Sequence, residues 1–416
     1  MELKRVVITG LGAITPIGKT VNDYWDALLK GESGAASVTH FDPILHKTKF
    51  ACEVKDFDPL DHFERKEARK LDRFSQFAMV AATEAMEDSG LDLDKLDLDR
   101  AGVIWGAGIG GIGTFQEECV GFERGDGTPR FNPFFIPKMI IDIAAGHISI
   151  KYGLRGPNFA TVSACASASN AMIDAFNYVR LGKAKVIVSG GSEASITTAG
   201  IGGFNAIKAL STNNDNPTTA SRPFDKTRDG FVLGEGAGAV IVEEYEHAIA
   251  RGAKIYAEIA GGGLTADAYH ITAPHPEGIG AANVMKFAME DAEMDTSQID
   301  YINVHGTSTP LGDVAETLAI KKVFGPHAYK LNIGSTKSMT GHLLGAAGAI
   351  EAIACIKAVV HDIVPPTINF EHEDENIDYK LNFTFGKPQK RVVNAAMSNT
   401  FGFGGHNTCV IFKKCQ

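Results

Sequence analysis

The chain alternates short apolar runs with segments of helical apolar spacing. Residues 3–10 are an apolar run that ends in glycine, which predicts a buried strand. Residues 20–33 have helical spacing, with Thr20 or Asn22 near the cap. Helical spacing returns over residues 72–90, and a second strand and a glycine-rich loop follow. Because strands and helices alternate in this order, the pattern predicts an α/β fold.

The middle of the chain continues the alternation. Residues 161–176, TVSACASASNAMIDAF, place small residues before an apolar run of helical spacing. Residues 183–193 form a continuous apolar strand of the kind that is buried on both faces. A glycine-rich, polar excursion covers residues 200–235, and a strand at 237–244 and a helix at 246–254 follow it.

The second half of the chain repeats the order of the first. The matching segments are strands that run into glycines, helix ends that share the tetrapeptide AMED, and turns that open into apolar helices, namely 4–15 with 254–267, 85–88 with 288–291, and 160–179 with 335–360. The shared order of elements makes a duplication the best interpretation. We therefore predict two similar α/β halves, 1–253 and 254–416.

Composition places the protein among ordinary globular chains. Its 416 residues can form two domains or one large duplicated one, and a net charge of −10 argues against general nucleic-acid affinity. Six cysteines show no CxxC spacing, so neither a zinc site nor a disulfide framework is indicated, and a reducing cytosol fits best. There is no signal-peptide pattern, and no uninterrupted apolar run reaches the roughly 18 residues of a membrane-spanning helix. We expect a cytoplasmic protein without membrane contact.

Cys165 is the candidate nucleophile. It lies at the predicted start of a helix, where the dipole and the unpaired N–H groups favour negative charge. Its thiol is therefore expected to ionise more readily than a free one. Small residues at 164, 166 and 168 let other backbone segments approach the sulfur. The alternative is a buried core cysteine, since free cysteine is among the most buried residue types.

Two histidines complete a candidate catalytic set. If the halves are pseudo-symmetric, His342 opens its helix where Cys165 opens the other, and His305 lies at the end of a buried strand on the same face. A thiolate can hold an acyl group as a thioester, and two neutral imidazoles can donate N–H bonds to the carbonyl of a second thioester. This set suits acyl transfer followed by carbon–carbon bond formation, without a metal or an organic cofactor. A protease dyad would leave the second histidine unexplained.

Two other stretches invite a functional interpretation. Residues 106–111, GAGIGG, fit a dinucleotide-binding motif, which we reject because the chain is predicted to run into a loop rich in Pro, Phe and Gly at 122–137 and not into a crossover helix. Residues 64–74, ERKEARKLDRF, carry Lys66, Arg69, Lys70 and Arg73 at near-helical spacing. Such a stretch is either a solvated helix face or a patch that steers an acidic partner.

Four motifs together resemble the β-ketoacyl-acyl carrier protein synthases, namely VSACAS at 162–167, VHGTSTPLGD at 304–313, GSTKSMTGHLLGAAG at 334–348 and SNTFGFGGHN at 398–407. The resemblance spans nearly the whole chain and fits the elongating, Cys-His-His branch. It implies the thiolase fold, in which two pseudo-symmetric α/β halves form a layered α-β-α-β-α core, and it implies a homodimer. The implied reaction is the decarboxylative Claisen condensation of an acyl-enzyme thioester with malonyl-acyl carrier protein, which gives 3-oxoacyl-acyl carrier protein and CO2 in fatty acid elongation.

The resemblance also implies roles for single residues. Cys165 would accept the acyl group, and His305 and His342 would activate malonyl-acyl carrier protein. Lys337 and Glu351 would support and orient the histidines.

The surroundings of the reaction follow from the same motifs. The backbone N–H groups of Cys165 and Phe403 would form the oxyanion hole, and the Phe403 ring would gate the acyl tunnel. The implied substrate-binding residues are Thr307 and Thr309 on the pantetheine arm, His270 and Thr272 nearby, Ile109 at the acyl pocket, and Phe204. Residues 131–137 would line that pocket, either from the same subunit or from the other one.

Acyl carrier protein is the implied partner, docked on Lys66, Arg69 and Lys70. One departure from the family is His406, where threonine is usual, which affects the geometry of that loop and not the reaction.

Three alternatives differ at identifiable positions, and a fourth does not. A thiolase would use a second cysteine in place of the paired histidines, and a priming synthase would carry Asn in place of His342. A non-catalytic chain-length-factor subunit would lack the nucleophilic cysteine. A polyketide-pathway ketosynthase remains open, because it would share every motif.

Overall fold

The computed structural model describes residues 3–415. The strands are β1 Val6–Ile14, β2 Ala36–Ser37, β3 Phe50–Ala51, β4 Ala101–Gly106, β5 Asn158–Thr161, β6 Val186–Glu193, β7 Gly236–Glu244, β8 Ala257–Ala266, β9 Tyr301–Asn303, β10 Asn332–Gly334, β11 Ile363–Val364, β12 Gln389–Lys390, β13 Ala395–Gly402 and β14 His406–Lys413. The α-helices are α1 Val21–Lys30, α2 Arg65–Ala68, α3 Arg73–Ser89, α4 Ile112–Glu123, α5 Phe135–Met139, α6 Ile143–Tyr152, α7 Ser167–Arg180, α8 Thr198–Ala206, α9 Tyr245–Ala250, α10 Ile279–Asp291, α11 Gly312–Phe324, α12 Lys337–Thr340 and α13 Ala347–His361.

One ten-stranded sheet shows the duplication. From the central pair β1 and β8, the strands run β1, β7, β6, β4, β5 in one direction and β8, β14, β13, β9, β10 in the other. β4 is parallel to β5 and β6, as β9 is parallel to β10 and β13. The other pairs of each half are antiparallel. Because every pairing has a counterpart of the same direction, the predicted duplication is confirmed.

The helices make the sheet the centre of a layered core. α7 and α13 contact strands of both halves and share one apolar cluster, in which Met172 and Ile350 meet Ile104 and Val410. A second cluster packs α3 on the outer face of the first half, and a third packs α10 and α11 on the outer face of the second. The order α-β-α-β-α agrees with the fold that the resemblance implies.

The ends of the predicted helices follow from their capping residues. α1 begins after Thr20, whose hydroxyl accepts the Asp23 N–H at 3.1 Å, and it ends at Gly31 with a φ of 72°. α3 begins after Asp72, whose carboxylate accepts the Phe74 N–H, and it ends at Gly90 with a φ of 60°. Side-chain caps and left-handed glycines satisfy the end groups that a helix leaves unpaired. Thr20, and not Asn22, is therefore the cap.

Two predictions of local structure are wrong. α4 begins at Ile112, directly after the glycine-rich stretch, where the sequence predicts a loop. Ile112, Phe115 and Phe122 recur there at helical spacing, but the glycines before them and the Pro, Phe and Gly after them favoured a loop. Among residues 3–415, these apolar side chains of α4 are not buried. Residues 64–74 form no continuous helix face, because α2 ends at Ala68 and Arg73 turns inward to pair with Glu235 at 2.8 Å.

One stretch, Leu344–His361, is long and apolar enough to span a membrane by length and composition alone. However, 89% of it is buried inside the protein, where α13 forms the middle layer. A core helix of this kind meets the same criteria, so the stretch is weak evidence for a membrane span.

The predicted division at residues 253 and 254 falls in the connection between α9 and β8. This connection leads from the outer part of the first half back to the centre of the sheet.

Candidate active site

Cys165 lies in a tight turn between β5 and α7. Ala166 is the N-cap of α7, and Ala164 has a φ of 52°, in the left-handed region that a non-glycine residue adopts only under strain. Gly402 approaches the turn closely, since a Cβ there would lie 3.2 Å from the backbone nitrogen of Cys165. The turn therefore holds the sulfur beside the β13–β14 hairpin.

The Cys165 thiol is protonated at neutral pH. Burial raises its pKa to about 12, and Glu193 adds to the rise, whereas Lys337 and the Phe403 N–H oppose it. The prediction of an easily ionised thiol is therefore wrong. The residue is only 8% exposed, and desolvation of the anion outweighs the helix dipole. The thiolate must form as its proton leaves for a neighbouring base.

His342 is placed to accept that proton. Its Nε2 lies 3.0 Å from the sulfur of Cys165. Its backbone N–H donates to Val232 at 2.7 Å and its carbonyl accepts from Gly234 at 2.9 Å, which pins the turn before α13 to the strand-like segment that precedes β7. The edge of the Phe231 ring faces the imidazole at a centroid distance of 5.2 Å.

His305 faces His342 across the cavity. Their ring centroids are 5.3 Å apart, and the rings are nearly perpendicular at 87°. The backbone N–H groups of His305 and Gly306 both donate to Glu316 at 2.9 Å. Asn399 donates to the same carboxylate at 3.3 Å, so the loop after β9 is fixed from two sides.

Both imidazoles are neutral at physiological pH. Burial lowers the pKa of His305 and of His342 well below the usual value, and the positive charge of Lys337 lowers both further. Lys337 pairs with Glu351 beneath the histidines, where each of the two residues is 1% exposed. A fixed positive charge close to the rings keeps them uncharged, as hydrogen-bond donors to a carbonyl must be.

A cavity of about 470 Å³ contains the three reactive groups. Thr307 and Thr309 line it with their hydroxyl oxygens 3.0 Å apart, and Thr272 lies on its wall. Phe204 and Phe403 line it as well, with ring centroids 6.5 Å apart. The candidate nucleophile, both histidines and five of the nine other predicted contact or supporting residues therefore line one cavity.

Four predicted residues do not line the cavity. His270 is outside the cavity, but its Nδ1 accepts the Thr272 N–H at 3.1 Å and so supports a lining residue. Ile109 lies outside it and is 36% exposed. Lys337 and Glu351 form the buried pair behind the histidines and do not reach the cavity surface.

The β13–β14 hairpin closes the site over the sulfur. The backbone N–H of Phe403 donates toward Cys165, and Gly404 and Gly405 turn the chain with φ values of 89° and 75°. His406 begins β14 and pairs with Gly402, so the unusual residue at this position fits a regular hairpin.

The basic residues form a separate, exposed surface. Lys66, Arg69 and Lys70 lie on and just after α2, and all three are exposed. The ammonium of Lys70 lies 5.5 Å from the centroid of the Phe134 ring. This contact joins the basic surface to the loop at residues 131–137.

Two carboxylates near the site were not predicted. Glu316 lines the cavity, and burial raises its pKa to about 7. Glu193, at the end of β6, is fully buried and accepts N–H groups from the glycine loop after β4. Neither belongs to a distinctive spacing, and only their contacts reveal them.

The raised pKa of Cys165 predicts the pH dependence of its alkylation. Below the pKa, the thiolate fraction rises about tenfold per pH unit. We expect the alkylation rate with iodoacetamide, followed by peptide mass spectrometry, to keep rising between about pH 6 and pH 9. The exposed Cys119 is an internal reference for reagent reactivity. A plateau of the Cys165 rate near neutral pH would contradict the raised pKa.

Comparisons with known proteins agree with this geometry. Residues 3–248 match the N-terminal domain of β-ketoacyl synthases, and residues 256–371 match the C-terminal domain. A protein of Synechocystis sp. named 3-oxoacyl-[acyl-carrier-protein] synthase 2 is 50% identical over 416 residues, covering 100% of this chain and 99% of its own length. A protein of the same name from Staphylococcus aureus is 49% identical over 414 residues and covers 99% of each chain.

Solved structures give the same result for the fold. A β-ketoacyl synthase from Burkholderia phymatum superposes with a TM-score of 0.91 at 36% identity, covering 99% of this chain and 100% of that one. A structure of a type II polyketide acyl-carrier protein in complex with its ketosynthase superposes with a TM-score of 0.89 at 32% identity, covering 100% of both chains.

The chain belongs to the β-ketoacyl synthase family, and its fold is the thiolase-like fold of the ketosynthases. As in the relatives that match it from end to end, it is a condensing enzyme of the acyltransferase class that acts in fatty acid elongation.

Proposed function

We propose that the protein extends acyl chains on Cys165 by decarboxylative condensation, with acyl carrier protein as the carrier of both substrates. The observation that carries this proposal is the meeting of one thiol and two neutral imidazoles in a single cavity. The names of its relatives and the carrier protein in one similar structure support the choice of carrier.

In the first half-reaction, the sulfur of Cys165 attacks the thioester carbonyl of the acyl carrier. His342 takes the thiol proton as the new S–C bond forms, since its Nε2 lies 3.0 Å from the sulfur. When the bond to the carrier breaks, the proton passes to the departing pantetheine sulfur, and the imidazole is neutral again. The N–H groups of Cys165 and Phe403 are the proposed donors to the transient oxyanion.

In the second half-reaction, malonyl-carrier protein loses CO2 and the electron pair of the broken C–C bond forms an enolate. N–H bonds from His305 and from His342, once His342 has exchanged to the neutral tautomer that carries its proton on Nε2, stabilise the enolate oxygen. The enolate carbon attacks the acyl carbonyl, a C–C bond forms, and the S–C bond to Cys165 breaks. The sulfur leaves as a thiolate and takes up a proton from solvent.

The remaining predicted residues have supporting roles in the proposal. Lys337 holds the histidines neutral and Glu351 balances its charge. Thr307 and Thr309 are the proposed contacts of the pantetheine amides, because their hydroxyls line the route to the sulfur. The rest of the proposed binding surface consists of Thr272, His270, Phe204 and Ile109.

Mass spectrometry tests the proposal directly. After mixing with acyl-carrier proteins of several chain lengths, we expect the mass of one acyl group on the peptide that contains Cys165. Malonyl-carrier protein added next should convert it to 3-oxoacyl-carrier protein. Absence of the acyl adduct with every chain length would overturn the proposal. The same measurement identifies the preferred acyl chain length.

The exposed basic surface is the proposed docking site for the carrier. Reversing Lys66, Arg69 and Lys70 to glutamate should raise the KM for carrier-bound substrate about tenfold or more, because steering between opposite charges is lost. The kcat should change little, since the surface is separate from the cavity. Initial rates with acyl-carrier protein measure both constants. Reversal of the exposed Lys286, Lys322 and Lys330 is the matched control, and an equal rise in KM there would remove the docking proposal.

A homodimer is proposed from an unpaired strand edge and an apolar surface. β5 pairs only with β4 among residues 3–415, whereas its counterpart β10 is extended by a bridge from Ile333 to Phe383. Next to β5, Val162 is 57% exposed. The α4–α5 region adds further exposed apolar side chains, namely Phe115, Val120, Phe122, Phe131, Phe134 and Ile136. A free edge beside apolar surface is a pairing surface for a second copy.

Changing Val162 and Phe122 to glutamate should convert a dimer to monomers, because each buries a charge in the proposed interface. Size-exclusion chromatography with light scattering measures the mass. The control Leu45→Glu alters an apolar residue that is 94% exposed elsewhere on the surface. A monomeric parent protein, or a dimer unaffected by the double change, would contradict the interface.

A non-catalytic chain-length-factor role is disfavoured because Cys165 is present beside both histidines. We also propose a cytoplasmic location and the functional division 1–253 and 254–416, in which the first half supplies the nucleophile and the second the two histidines.

A further inference from the structure

Glu193 is a buried carboxylate at the meeting point of the two halves. The residue is 0% exposed. Its two oxygens accept N–H groups from Gly108 at 2.8 Å, Ile109 at 3.1 Å, Gly110 at 3.0 Å and Gly345 at 3.1 Å. These donors are the backbone groups that a glycine-rich loop would offer to a phosphate, and here an internal anion takes them. Burying a charge is costly, so apolar packing does not explain a carboxylate here.

Two segments bind this carboxylate, and a third, the turn of Cys165, contacts one of them. A Cβ at Gly345 would lie 2.1 Å from the nitrogen of Gly108, so the turn that follows His342 touches the loop after β4. A Cβ at Gly108 would lie 3.2 Å from the carbonyl oxygen of Ala164, the residue before Cys165. The turn of the nucleophile, the glycine loop and the turn of the base are therefore in van der Waals contact around Glu193.

We propose that Glu193 is a positioning residue of the condensing reaction: by binding the glycine loop and Gly345 together, it sets the separation of the Cys165 sulfur and the His342 imidazole. This inference rests on the proposed roles of those two residues. Glu193 itself touches neither substrate nor the reacting atoms. Only two residues separate Gly345 from His342, so a displacement of the turn displaces the ring.

The carboxylate has two separable properties, its reach and its charge. The length of its side chain lets both oxygens accept the N–H groups of the glycine loop and Gly345. Its negative charge disfavours the Cys165 thiolate. The titratable and charged groups around the sulfur are His342, His305, Lys337, Glu193, Glu351 and Glu316. Glutamine keeps the length but presents an –NH2 that can only donate, and aspartate keeps the charge but is one methylene shorter.

The two variants therefore have different signatures. Glu193→Gln and Glu193→Asp should both slow acylation of Cys165 about 10- to 100-fold, because a small displacement of catalytic groups costs this much. The KM for the acyl carrier should stay within about twofold, since docking is elsewhere. Only Glu193→Gln should shift the pH–rate profile of Cys165 alkylation toward lower pH. Single-turnover acylation by quenched-flow mass spectrometry and alkylation with iodoacetamide supply the measurements.

Glu243→Gln is the matched control. Glu243 is equally buried and hydrogen-bonded, and it lies on β7 opposite Val186, at the far end of β6 from Glu193. The Glu243→Gln change should lower thermal stability without changing the pH–rate profile of Cys165 alkylation. If Glu193→Gln does not fold, Glu193→Asp alone tests the positioning. Acylation at the parental rate in the folded variants would overturn the inference, whereas failure of the parent protein to acylate Cys165 would overturn the proposed function instead.

Discussion

Replacing Cys165 by alanine is expected to abolish the covalent acyl-enzyme and to lower the condensation rate by at least about 10³-fold, as loss of a nucleophile does in other covalent enzymes. The structure adds a second expectation. The two imidazoles do not depend on the sulfur for their position, because His305 is held by Glu316 and His342 by the segment at Val232. Decarboxylation of malonyl-carrier protein should therefore continue in Cys165→Ala, without a condensation product. Intact-protein mass spectrometry and release of labelled CO2 measure the two outcomes separately.

Cys409→Ala is the matched control for this prediction. Cys409 is a fully buried cysteine on β14 and does not line the cavity. Its replacement should reduce stability but leave acylation intact. An acyl adduct that persists in Cys165→Ala would show that the sulfur is not the acceptor.

Loss of either histidine is expected to block condensation while acylation remains measurable. His305→Ala removes one donor to the enolate oxygen and should lower decarboxylation about 10²- to 10³-fold, the usual effect of removing one oxyanion donor. His342→Ala removes a donor as well as the proton acceptor 3.0 Å from the sulfur, so acylation should also slow. Single-turnover acylation and CO2 release distinguish the two variants.

His361→Ala is the control, because His361 stacks on Trp25 away from the cavity. Condensation at the parental rate in either active-site variant would contradict the roles assigned to the pair.

The pH dependence of decarboxylation gives a further check. Since both pKa values are lowered, the imidazoles stay neutral as the pH falls through 6.5, the ordinary value for histidine, and decarboxylation should not decline there on their account.

The pattern of strands and helices identified the fold, because the duplication makes the same order of elements occur twice along the chain. Of the apolar strands predicted at residues 183–193 and 237–244, the parts that form β6 and β7 are buried along their whole length. The two AMED segments lie at corresponding ends of α3 and α10. Each half contributes the same strand order about the junction of β1 and β8. The prediction failed at α4, although Ile112, Phe115 and Phe122 recur there at helical spacing, because the glycine-rich stretches on both sides favoured a loop.

The candidate site was likewise predictable from the sequence only in part. Motifs identified Cys165, His305 and His342, because reactive side chains in glycine-rich turns are visible in a sequence. The protonation state of Cys165 was not visible. A helix N-terminus favours the thiolate, but burial disfavours it more, and burial depends on Gly402, Phe403 and other residues far away in the chain.

By itself, the sequence determined the duplicated α/β architecture and singled out the candidate nucleophile, the two histidines and the exposed basic residues, since local spacing and residue chemistry carry that information. Only the tertiary structure decided that the thiol is protonated, that Lys337 and Glu351 lie buried beneath the histidines, and that Glu193 joins the glycine loop to the turn of His342. The physical reason is that pKa values and hydrogen bonds depend on groups brought together from distant positions, and no local pattern contains those distances.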